Sequence, residues 1–341
     1  MDVHTAIPLK NYTTMKLGGN ARFITTVMSA DDVVDIYNHA KQQNLPIFIL
    51  GGGSNVIARD EGFDGIVALN RIKGFEVISD DSSSAVIKLG AGEIWDEVVS
   101  RTVDMGLTGI EALSGIPGTA GAAPVQNIGA YGQEVADVLL SLEVYDSQVE
   151  QIVTLDVSQC KFSYRNSIFR DEAMGRYCIL NITIKLYHQV PQPPFYAALQ
   201  KYFDEHNIDM FTVGIVREAV LAIRQDKLPD PAEKPNAGSF FKNSIIEEWQ
   251  YQDLLRQFPD MPSYDMSNNT HKIPTGWLIE QVGVKGELLY GIRVHDKNAL
   301  VLINESATSY SDLTLARQEI IQKVYDKFHI LITQEPLELA R

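Results

Sequence analysis

Two stretches of the sequence have a glycine content that suits the binding of a phosphate-bearing ligand. The first is GGGSN at residues 51–55, directly after the apolar run PIFIL at residues 46–50. Because glycine has no side chain, the backbone amides of such a turn can come close to a phosphate. The Rossmann dinucleotide-binding fingerprint does not fit, since Val56 stands where glycine or alanine is required. A tight surface turn without a ligand is the alternative interpretation.

The second stretch is GIPGTAGAAPVQNIGAYG at residues 115–132, which contains no charged side chain. A solvent-exposed loop would be more polar, and a strand of the core would have larger residues. Backbone packed against a large, flat ligand explains both features, with Gln126 and Asn127 as polar contacts and Tyr131 placed to stack or to hydrogen-bond. Close packing between helices is the alternative.

Three later motifs, together with these two stretches, carry a family resemblance. They are CKFSYRNSIF at residues 160–169, KLPDP and NAGSFFKN within residues 227–243, and GWLIEQVGVKG at residues 276–286. In type and order, the five segments resemble the UDP-N-acetylenolpyruvoylglucosamine reductase family across nearly the whole chain. The loop PQPPFY, which ends at Tyr196, resembles the subgroup with an additional tyrosine loop.

The resemblance implies reduction of UDP-N-acetyl-3-O-(1-carboxyvinyl)-glucosamine to UDP-N-acetylmuramate, a step of peptidoglycan precursor biosynthesis. NADPH would supply a hydride that passes through FAD to C3 of the enolpyruvyl group, and a proton would be added at C2. An enol ether accepts hydride poorly unless its carboxylate takes up the developing charge. The site therefore needs a fixed cation beside that carboxylate, an acid for C2 and a dry pocket. Each preorganised donor of this kind contributes roughly 3 kcal/mol.

Three residues match the catalytic positions of the family. Arg165, in SYRNSIF, matches the arginine that binds and polarises the carboxylate, a role suited to a guanidinium because it binds bidentately and stays charged. Ser239, in NAGSFFKN, matches the proton donor. Glu335, by its spacing after Phe328, matches a carboxylate that orients or protonates the substrate carboxylate together with Arg165. The chain departs from the family by ending as EPLELAR, so Glu338 is an alternative to Glu335.

The resemblance also implies two sets of binding residues. Those expected to contact FAD are Gly51, Gly52, Gly53, Ser54, Asn55, Gly118, Gly121, Gln126, Asn127, Gly129 and Tyr131. Those expected to contact the nucleotide, the diphosphate or NADPH are Tyr196, Arg224, Lys227, Asn243, Tyr264 and Lys285. Outside these motifs, each such lysine or tyrosine would more simply be a solvated surface group.

The implied fold is α+β and similar to that of vanillyl-alcohol-oxidase-type (PCMH-type) flavoproteins. FAD would bind without a covalent link between two N-terminal α+β domains, and a third α+β domain would bind the substrate. We expect a first domain of residues 1–72 with about 328–341, a second of residues 73–228 and a third of residues 229–327. The C-terminal residues are assigned to the first domain because Glu335 must reach a site shared with Arg165 and Ser239.

Two other functions remain as alternatives. One is a flavin-dependent oxidase or dehydrogenase of a hydroxy acid or sugar on the same fold. Such relatives often attach FAD covalently through histidine or cysteine, and neither glycine-rich stretch contains either residue. The other is a non-catalytic nucleotide-sugar binding protein, which would have no reason to retain the NAGS and YRNS motifs with a terminal glutamate.

The elements that must position these residues follow from hydrophobic periodicity. Helices are predicted at residues 31–44, 93–106, 245–257 and 311–328, and strands at residues 46–50, 142–146, 151–155, 179–186 and 299–304. The last helix is predicted to begin at Ser311. Three prolines in residues 191–194 predict a rigid loop, and three more in residues 228–239 predict a domain junction. The alternation is too irregular for a doubly wound sheet, which independently favours α+β in three parts.

Composition limits the class of protein. The 341 residues are 45% hydrophobic and 21% charged, which is typical of a globular protein of two or three domains. Its 29 basic and 44 acidic residues give a formal net charge of −15, which argues against nucleic acid as a partner. With no signal-peptide pattern and no apolar run near ~20 residues, we expect a cytoplasmic protein with no membrane partner. In the absence of heptads, a monomer is the default expectation.

The remaining candidate residues point to no further chemistry. Cys160 and Cys178 are too few for a disulfide framework, and the seven histidines have no metal-ligand spacing, so no metal is expected. His295 is interpreted as structural or as a contact at the rim of the site. Met210 and Trp277 are predicted to be core residues.

Overall fold

The structure is a computed structural model that describes residues 3–339 of the 341-residue chain. The first two and last two residues of the first predicted domain therefore lie outside the described residues. Within residues 3–339, no helix combines the length and the apolar character needed to cross a bilayer.

The N-terminal part of the chain forms a four-stranded mixed sheet with one helix packed against it. Its elements are β1 (Val3–Pro8), β2 (Asn20–Val27), α1 (Ala30–Gln43), β3 (Ile47–Leu50), β4 (Val56–Ala58) and β5 (Phe63–Asn70). The sheet order is β1-β2-β5-β3, in which β2 and β3 run parallel to β5. Ser29 is the N-cap of helix α1, and its hydroxyl accepts a hydrogen bond from the Asp32 amide in a capping box. Because β3 and β5 are parallel, the turn after Leu50 and the residues after Asn70 emerge at one edge of the sheet.

A five-stranded antiparallel sheet follows. Its elements are β6 (Phe75–Asp80), β7 (Ser84–Gly90), α2 (Trp95–Asp104), β8 (Gly129–Ala130), β9 (Gln133–Glu134), β10 (Leu139–Asp146), β11 (Gln151–Asp156) and β12 (Tyr177–Tyr187). The order is β11-β10-β12-β7-β6, and β8 pairs with β9 separately. Ala120 and Ala123 of the second glycine-rich stretch are buried in the same core as Trp95 of α2. This stretch is therefore held against the sheet by its small side chains.

Two helices that the sequence analysis did not predict follow the proline-rich loop. They are α3 (Ala197–Glu205) and α4 (Val213–Lys227). Leu199 and Phe203 of α3 are buried against Val216 and Val220 of α4. Met210, predicted as core, lies in the connection between them and is 73% exposed, so that prediction is wrong. Phe211 fills the space instead, with its ring centroid 5.1 Å from that of Phe203.

The C-terminal part contains two further antiparallel sheets. Its elements are β13 (Asn236–Ser239), β14 (Ser244–Glu247), α5 (Glu248–Gln257), β15 (Tyr264–Met266), β16 (Thr270–Ile273), α6 (Thr275–Gln281), β17 (Leu288–Leu289), β18 (Ile292–Val294), β19 (Val301–Asn304), α7 (Tyr310–Phe328) and β20 (Leu337–Leu339). The sheet orders are β13-β19-β18-β17 and β14-β16-β15. Strand β20 leaves this region and pairs in parallel with β4, which places Leu339 in the core of the first sheet. Trp277 packs against the core of the C-terminal part, as predicted.

Three of the predicted boundaries that differ from the structure concern segments close to the candidate site or the last helix. The helix predicted over residues 245–257 begins at Glu248, because residues 244–247 form β14 with one isoleucine exposed and the next buried, a two-residue period. The predicted junction over residues 228–239 ends in β13, which pairs with β19. Helix α7 begins at Tyr310 instead of Ser311, since Ser309 is its N-cap and the Ser309 hydroxyl accepts from the Asp312 amide.

Candidate functional site

A cleft lies between the turn that follows β3 and the second glycine-rich stretch. The Ser54 hydroxyl donates to the carbonyl oxygen of Pro117 at 3.0 Å, and the Asn55 amide group hydrogen-bonds the Gln126 side chain. A Cβ added to Gly52 would lie 2.9 Å from the Cα of Gly118, so a side chain does not fit there. A cavity of about 380 Å³ continues the cleft towards the end of β3. The two glycine-rich stretches together therefore form one narrow cradle of backbone.

Eight of the eleven residues predicted to contact FAD line this cleft. They are Gly51, Gly52, Gly53, Ser54, Asn55, Gly118, Gly121 and Gln126. The other three lie beyond its lining. Asn127 is buried, and its side chain bonds the Glu134 carboxylate at 2.7 Å and the Ala136 amide at 3.1 Å. Gly129 accepts a hydrogen bond from Arg165, and the Tyr131 ring packs edge-on against Tyr196.

Arg165 and Glu335 meet next to this cleft. The Arg165 Nε lies 3.4 Å from Oε1 of Glu335, and both side chains are largely buried, at 19% and 12% exposure. The Arg165 backbone has a φ of 53°, an uncommon conformation for a residue with a side chain. Its Nη2 donates to the carbonyl oxygen of Gly129 at 2.5 Å. The guanidinium is therefore held by backbone on one side and faces a carboxylate on the other.

A short antiparallel pairing brings the C-terminal segment to the NAGSFFKN motif. The Glu335 amide donates to the carbonyl oxygen of Phe240 at 2.8 Å, and the Lys242 amide donates to that of Thr333 at 2.9 Å. Ser239, which is partly buried at the end of β13, directly precedes Phe240. The structure therefore brings the segments that carry Arg165, Ser239 and Glu335 together.

Three cations surround the Glu335 carboxylate. Burial raises its pKa, while Arg165, Arg170 and Lys242 act in the opposite direction. Arg170 also donates to the Gln126 side chain at 3.2 Å, and Lys242 donates to the carbonyl oxygen of Arg165 at 3.2 Å. The sequence analysis missed Arg170 and Lys242, although Arg170 directly follows CKFSYRNSIF and Lys242 lies within NAGSFFKN.

Glu338, the alternative carboxylate, has a different environment. Its carboxylate lies 2.6 Å from Arg59 and 2.6 Å from Arg317, and it accepts from the Tyr310 hydroxyl at 2.8 Å. Burial raises its pKa, but the hydrogen bonds from Arg59, Arg317 and Tyr310 outweigh burial and lower it to about 2. Both oxygens of this carboxylate are therefore bonded within the C-terminal junction, the place where β20, β4 and α7 meet.

Comparison with known proteins agrees with both halves of this site. Residues 21–156 match the FAD binding domain family, and residues 230–338 match the C-terminal domain of UDP-N-acetylenolpyruvoylglucosamine reductase. A UDP-N-acetylenolpyruvoylglucosamine reductase from Ralstonia nicotianae is 39% identical over 97% of both chains. The chain belongs to the UDP-N-acetylenolpyruvoylglucosamine reductase family. The resemblance predicted from the five motifs is thereby confirmed.

Two further relatives extend this assignment. The UDP-N-acetylenolpyruvoylglucosamine reductase of Neisseria gonorrhoeae is 39% identical over 96% of this chain and 95% of its own. The crystal structure of UDP-N-acetylenolpyruvylglucosamine reductase from Thermus caldophilus aligns over 100% of both chains with a TM-score of 0.69 at 21% identity. The α+β fold of the reductase family is therefore that of this chain, as predicted.

Four tyrosines lie close to one another, and the ring centre of one of them, Tyr164, lies 5.3 Å from the Arg165 guanidinium carbon. Tyr196 and Tyr264 hydrogen-bond each other, and burial with this contact raises the pKa of Tyr196 to about 12. The Tyr131 ring lies 6.1 Å from that of Tyr196. Tyr164 hydrogen-bonds Asn243 and completes the group. Of the predicted substrate contacts, Tyr196, Tyr264 and Asn243 are thus brought together.

Lys272 lies among these tyrosines and was missed by the sequence analysis. Its Nζ lies 5.4 Å from the centre of the Tyr164 ring and 5.3 Å from that of Tyr264. Both distances are typical of a cation–π contact. Lys272 lies in β16, outside the five motifs, so only its position in the folded chain reveals it.

The other predicted contacts of the reductase substrate are dispersed. Arg224 lines a cavity of about 710 Å³ that also contacts Ser54 and Gly238, and burial lowers its pKa. Lys227 is exposed at the end of α4 and is not among the residues that line this cavity. Lys285 is 2.7 Å from Glu280, to which it is ion-paired. His295 is buried in the cavity wall at 7% exposure.

Proposed function

We propose that this chain reduces the enolpyruvyl group of UDP-N-acetyl-3-O-(1-carboxyvinyl)-glucosamine to give UDP-N-acetylmuramate. The observation that carries the proposal is the meeting of Arg165, Glu335 and the NAGSFFKN segment beside a cleft of glycine-rich backbone. A buried guanidinium next to a buried carboxyl suits a substrate that bears its own carboxylate. The activity places the chain in peptidoglycan precursor biosynthesis.

The cleft suits FAD because exposed backbone forms its walls. A side chain at these glycine positions would block the approach of the cofactor to that backbone. Residues 51–55 with Gly118, Gly121 and Gln126 would hold the cofactor without a covalent link. When bound, FAD supplies the hydride chemistry, with NADPH as the donor. Asn127, Gly129 and Tyr131 are also proposed as FAD contacts; the carbonyl oxygens of Asn127 and Gly129 bond Arg165, and Tyr131 packs against Tyr196.

Arg165 is proposed to bind the substrate carboxylate and to stabilise the charge that develops as hydride reaches C3. Its hydrogen bond to Gly129 fixes the guanidinium before the substrate arrives, so that little reorganisation is needed. Glu335 orients the same carboxylate or protonates it. Ser239 donates its hydroxyl proton to C2, and the resulting alkoxide regains a proton from solvent.

The tyrosine group is proposed to bind the nucleotide diphosphate. Tyr196, Tyr264 and Asn243 supply hydrogen-bonding groups, and Lys272 supplies a positive charge between two rings. Arg224 would bind an anionic group of NADPH or substrate from the neighbouring cavity. Lys227 and Lys285 are proposed as peripheral contacts, which the charge of the ligand would attract.

The organisation of the chain forms part of the proposal. We infer a first domain of residues 1–72 with about 328–341, a second of residues 73–228 and a third of residues 229–327. Strand β20, which pairs with β4, supports the return of the C-terminus to the first domain. The reductase is proposed to act as a cytoplasmic monomer.

Stopped-flow measurement of the two half-reactions without oxygen tests this function. NADPH should bleach the flavin of the purified holoenzyme, and the enolpyruvyl UDP-sugar should restore its colour. Ser239→Ala should leave bleaching nearly unchanged and slow the recovery on the order of 10³-fold, the scale of a strong general acid. Ser311→Ala, an exposed serine of α7, is the matched control and should match the wild type. A colourless protein, or a flavin that the UDP-sugar does not reoxidise, contradicts the proposal.

A further inference from the structure

Lys242 has a backbone that is fixed on both sides. Its amide donates to the carbonyl oxygen of Thr333 at 2.9 Å, and its carbonyl oxygen accepts from the Thr275 hydroxyl at 2.8 Å. The Thr275 amide in turn donates to the Asn243 side chain at 3.1 Å. Thr275 is fully buried, so solvent does not compete for these bonds. The Lys242 side chain therefore starts from a rigid position.

The ammonium group of Lys242 reaches the neighbouring SYRNSIF motif. It donates to the carbonyl oxygen of Arg165 at 3.2 Å. Arg165 has a φ of 53°, which an L-residue keeps only when its surroundings impose it. The contact from Lys242 stabilises this conformation, and the conformation directs the guanidinium towards Gly129 and Glu335.

The charge of Lys242 acts on the Glu335 carboxyl group, which also faces Arg165. The titratable and charged side chains that face Glu335 are Arg165, Arg170, Lys242 and Tyr164, and Asp171 also faces Lys242. Burial lowers the pKa of Lys242, as expected for a cation removed from water. Its positive charge favours the ionised form of Glu335, so removal of the charge must raise the pKa of Glu335.

We propose that Lys242 is a positioning residue of the reductase, which holds Arg165 in its substrate-binding conformation and supplies positive charge next to Glu335. It acts through these two residues and not on the reacting atoms. The inference rests on the proposed function and assigns to the reaction a residue outside the catalytic set. It also explains how the segment that carries Ser239 is kept in register with the motif that carries Arg165.

Three substitutions separate the hydrogen bond from the charge. Lys242→Met removes both and should slow flavin reoxidation by the UDP-sugar about 100-fold, the cost of a small misplacement in a preorganised site. NADPH reduction should stay within about twofold, since a positioning effect on the carboxylate site spares that step. Lys242→Gln keeps a donor for the Arg165 carbonyl and should recover most of the rate. In the pH–rate profile of Lys242→Gln, the limb that reports the ionisation of Glu335 should still move to higher pH. Lys242→Arg keeps the charge and should retain the wild-type pH profile.

A binding measurement provides a readout that does not depend on turnover. Calorimetric titration of the holoenzyme with UDP-N-acetylmuramate should show about tenfold weaker binding for Lys242→Met, because the carboxylate partner is misplaced. Lys323→Met is the matched control: Lys323 lies in α7, 3.1 Å from Glu319, and its loss should change neither rate nor affinity.

The outcomes are distinct. Wild-type rate, affinity and pH profile in Lys242→Met overturn the inference, and so does a parallel loss of both half-reactions, which indicates a structural role. If Lys242→Met does not fold, an unshifted pH profile in Lys242→Gln overturns it equally. A wild-type flavin that the UDP-sugar fails to reoxidise overturns the proposed function instead.

Discussion

Two glutamates three residues apart near the C-terminus both lie among cations, yet their pKa values are shifted in opposite directions. Glu335 and Glu338 are similarly buried, with side chains 12% and 20% exposed, so burial alone does not separate them. Glu338 lies 2.6 Å from each of two arginines. Glu335 lies 3.4 Å from Arg165, its nearest cation. The partners of the two carboxylates therefore differ more than their solvent exposure does.

The difference teaches how a site keeps its charges available. The cations around Glu335 are each bound elsewhere: Arg165 to Gly129, Arg170 to Gln126 and Lys242 to the Arg165 carbonyl. Burial therefore dominates and raises the pKa of Glu335. The cations around Glu338 bind it directly and lower its pKa to about 2 despite its burial. The arrangement around Glu335 suits the binding of a ligand carboxylate. The arrangement around Glu338 suits a stable contact in the C-terminal junction.

The largest expected contrast concerns catalysis. Glu335→Gln should slow flavin reoxidation by the UDP-sugar on the order of 10³-fold, because an ionisable group beside Arg165 is lost. Glu338→Gln should change that rate less than about threefold, since its partners belong to the junction. Stopped-flow kinetics of the holoenzymes measure both. An equal loss of reoxidation rate in the two variants would contradict the contrast between the two glutamates. A greater loss in Glu338→Gln would assign the catalytic role to Glu338.

The second contrast concerns stability near pH 7. Glu338→Gln should lower the free energy of unfolding by roughly 2–3 kcal/mol, because the largely buried Arg317 and the half-exposed Arg59 both lose their charged partner. Glu335→Gln should not lower it, since the environment of Glu335 favours a neutral side chain. Urea denaturation at several pH values measures both.

The pH dependence of this contrast has opposite signs for the two residues. The pKa of Glu338 is depressed, so its stabilisation is present above its ordinary value of 4.5 and is lost as the pH falls towards about 2. The pKa of Glu335 is raised from 4.5, so its contribution is present at low pH and is lost as the pH rises through the raised value. A gap between Glu338→Gln and wild type that persists unchanged at pH 2 contradicts the first sign.

The smallest effect distinguishes the two arginines of the junction. Arg317 is 18% exposed and Arg59 is 45% exposed, so solvent weakens the contact of Arg59. Arg59→Met should therefore cost no more than about 1 kcal/mol of unfolding free energy, and Arg317→Met should cost more. Thermal unfolding of the two variants checks the order. The reverse order would show that solvent exposure does not rank these contacts.

Much of the fold and of the candidate site was predictable from local signals. Helices α1 and α7 follow from apolar periodicity, and residues 51–55 follow from the glycine that a close backbone approach requires. Helices α3 and α4 were not predicted, because they follow a proline-rich loop and the apolar periodicity of their sequences was not recognised. Residues 244–247 were assigned to a helix because a short apolar run does not distinguish a strand from a helical turn.

The sequence by itself determined the family, the glycine-rich turns and the three residues proposed for catalysis. These depend on residue type and local spacing, which the sequence shows without knowledge of the fold. The tertiary structure decided which glutamate faces Arg165 and which is bound in a junction. Glu338 is separated from Arg59 by 279 residues along the chain, and Lys242 from Arg165 by 77. The charge state and orientation of a buried group depend on neighbours that only folding brings together, so no local pattern encodes them.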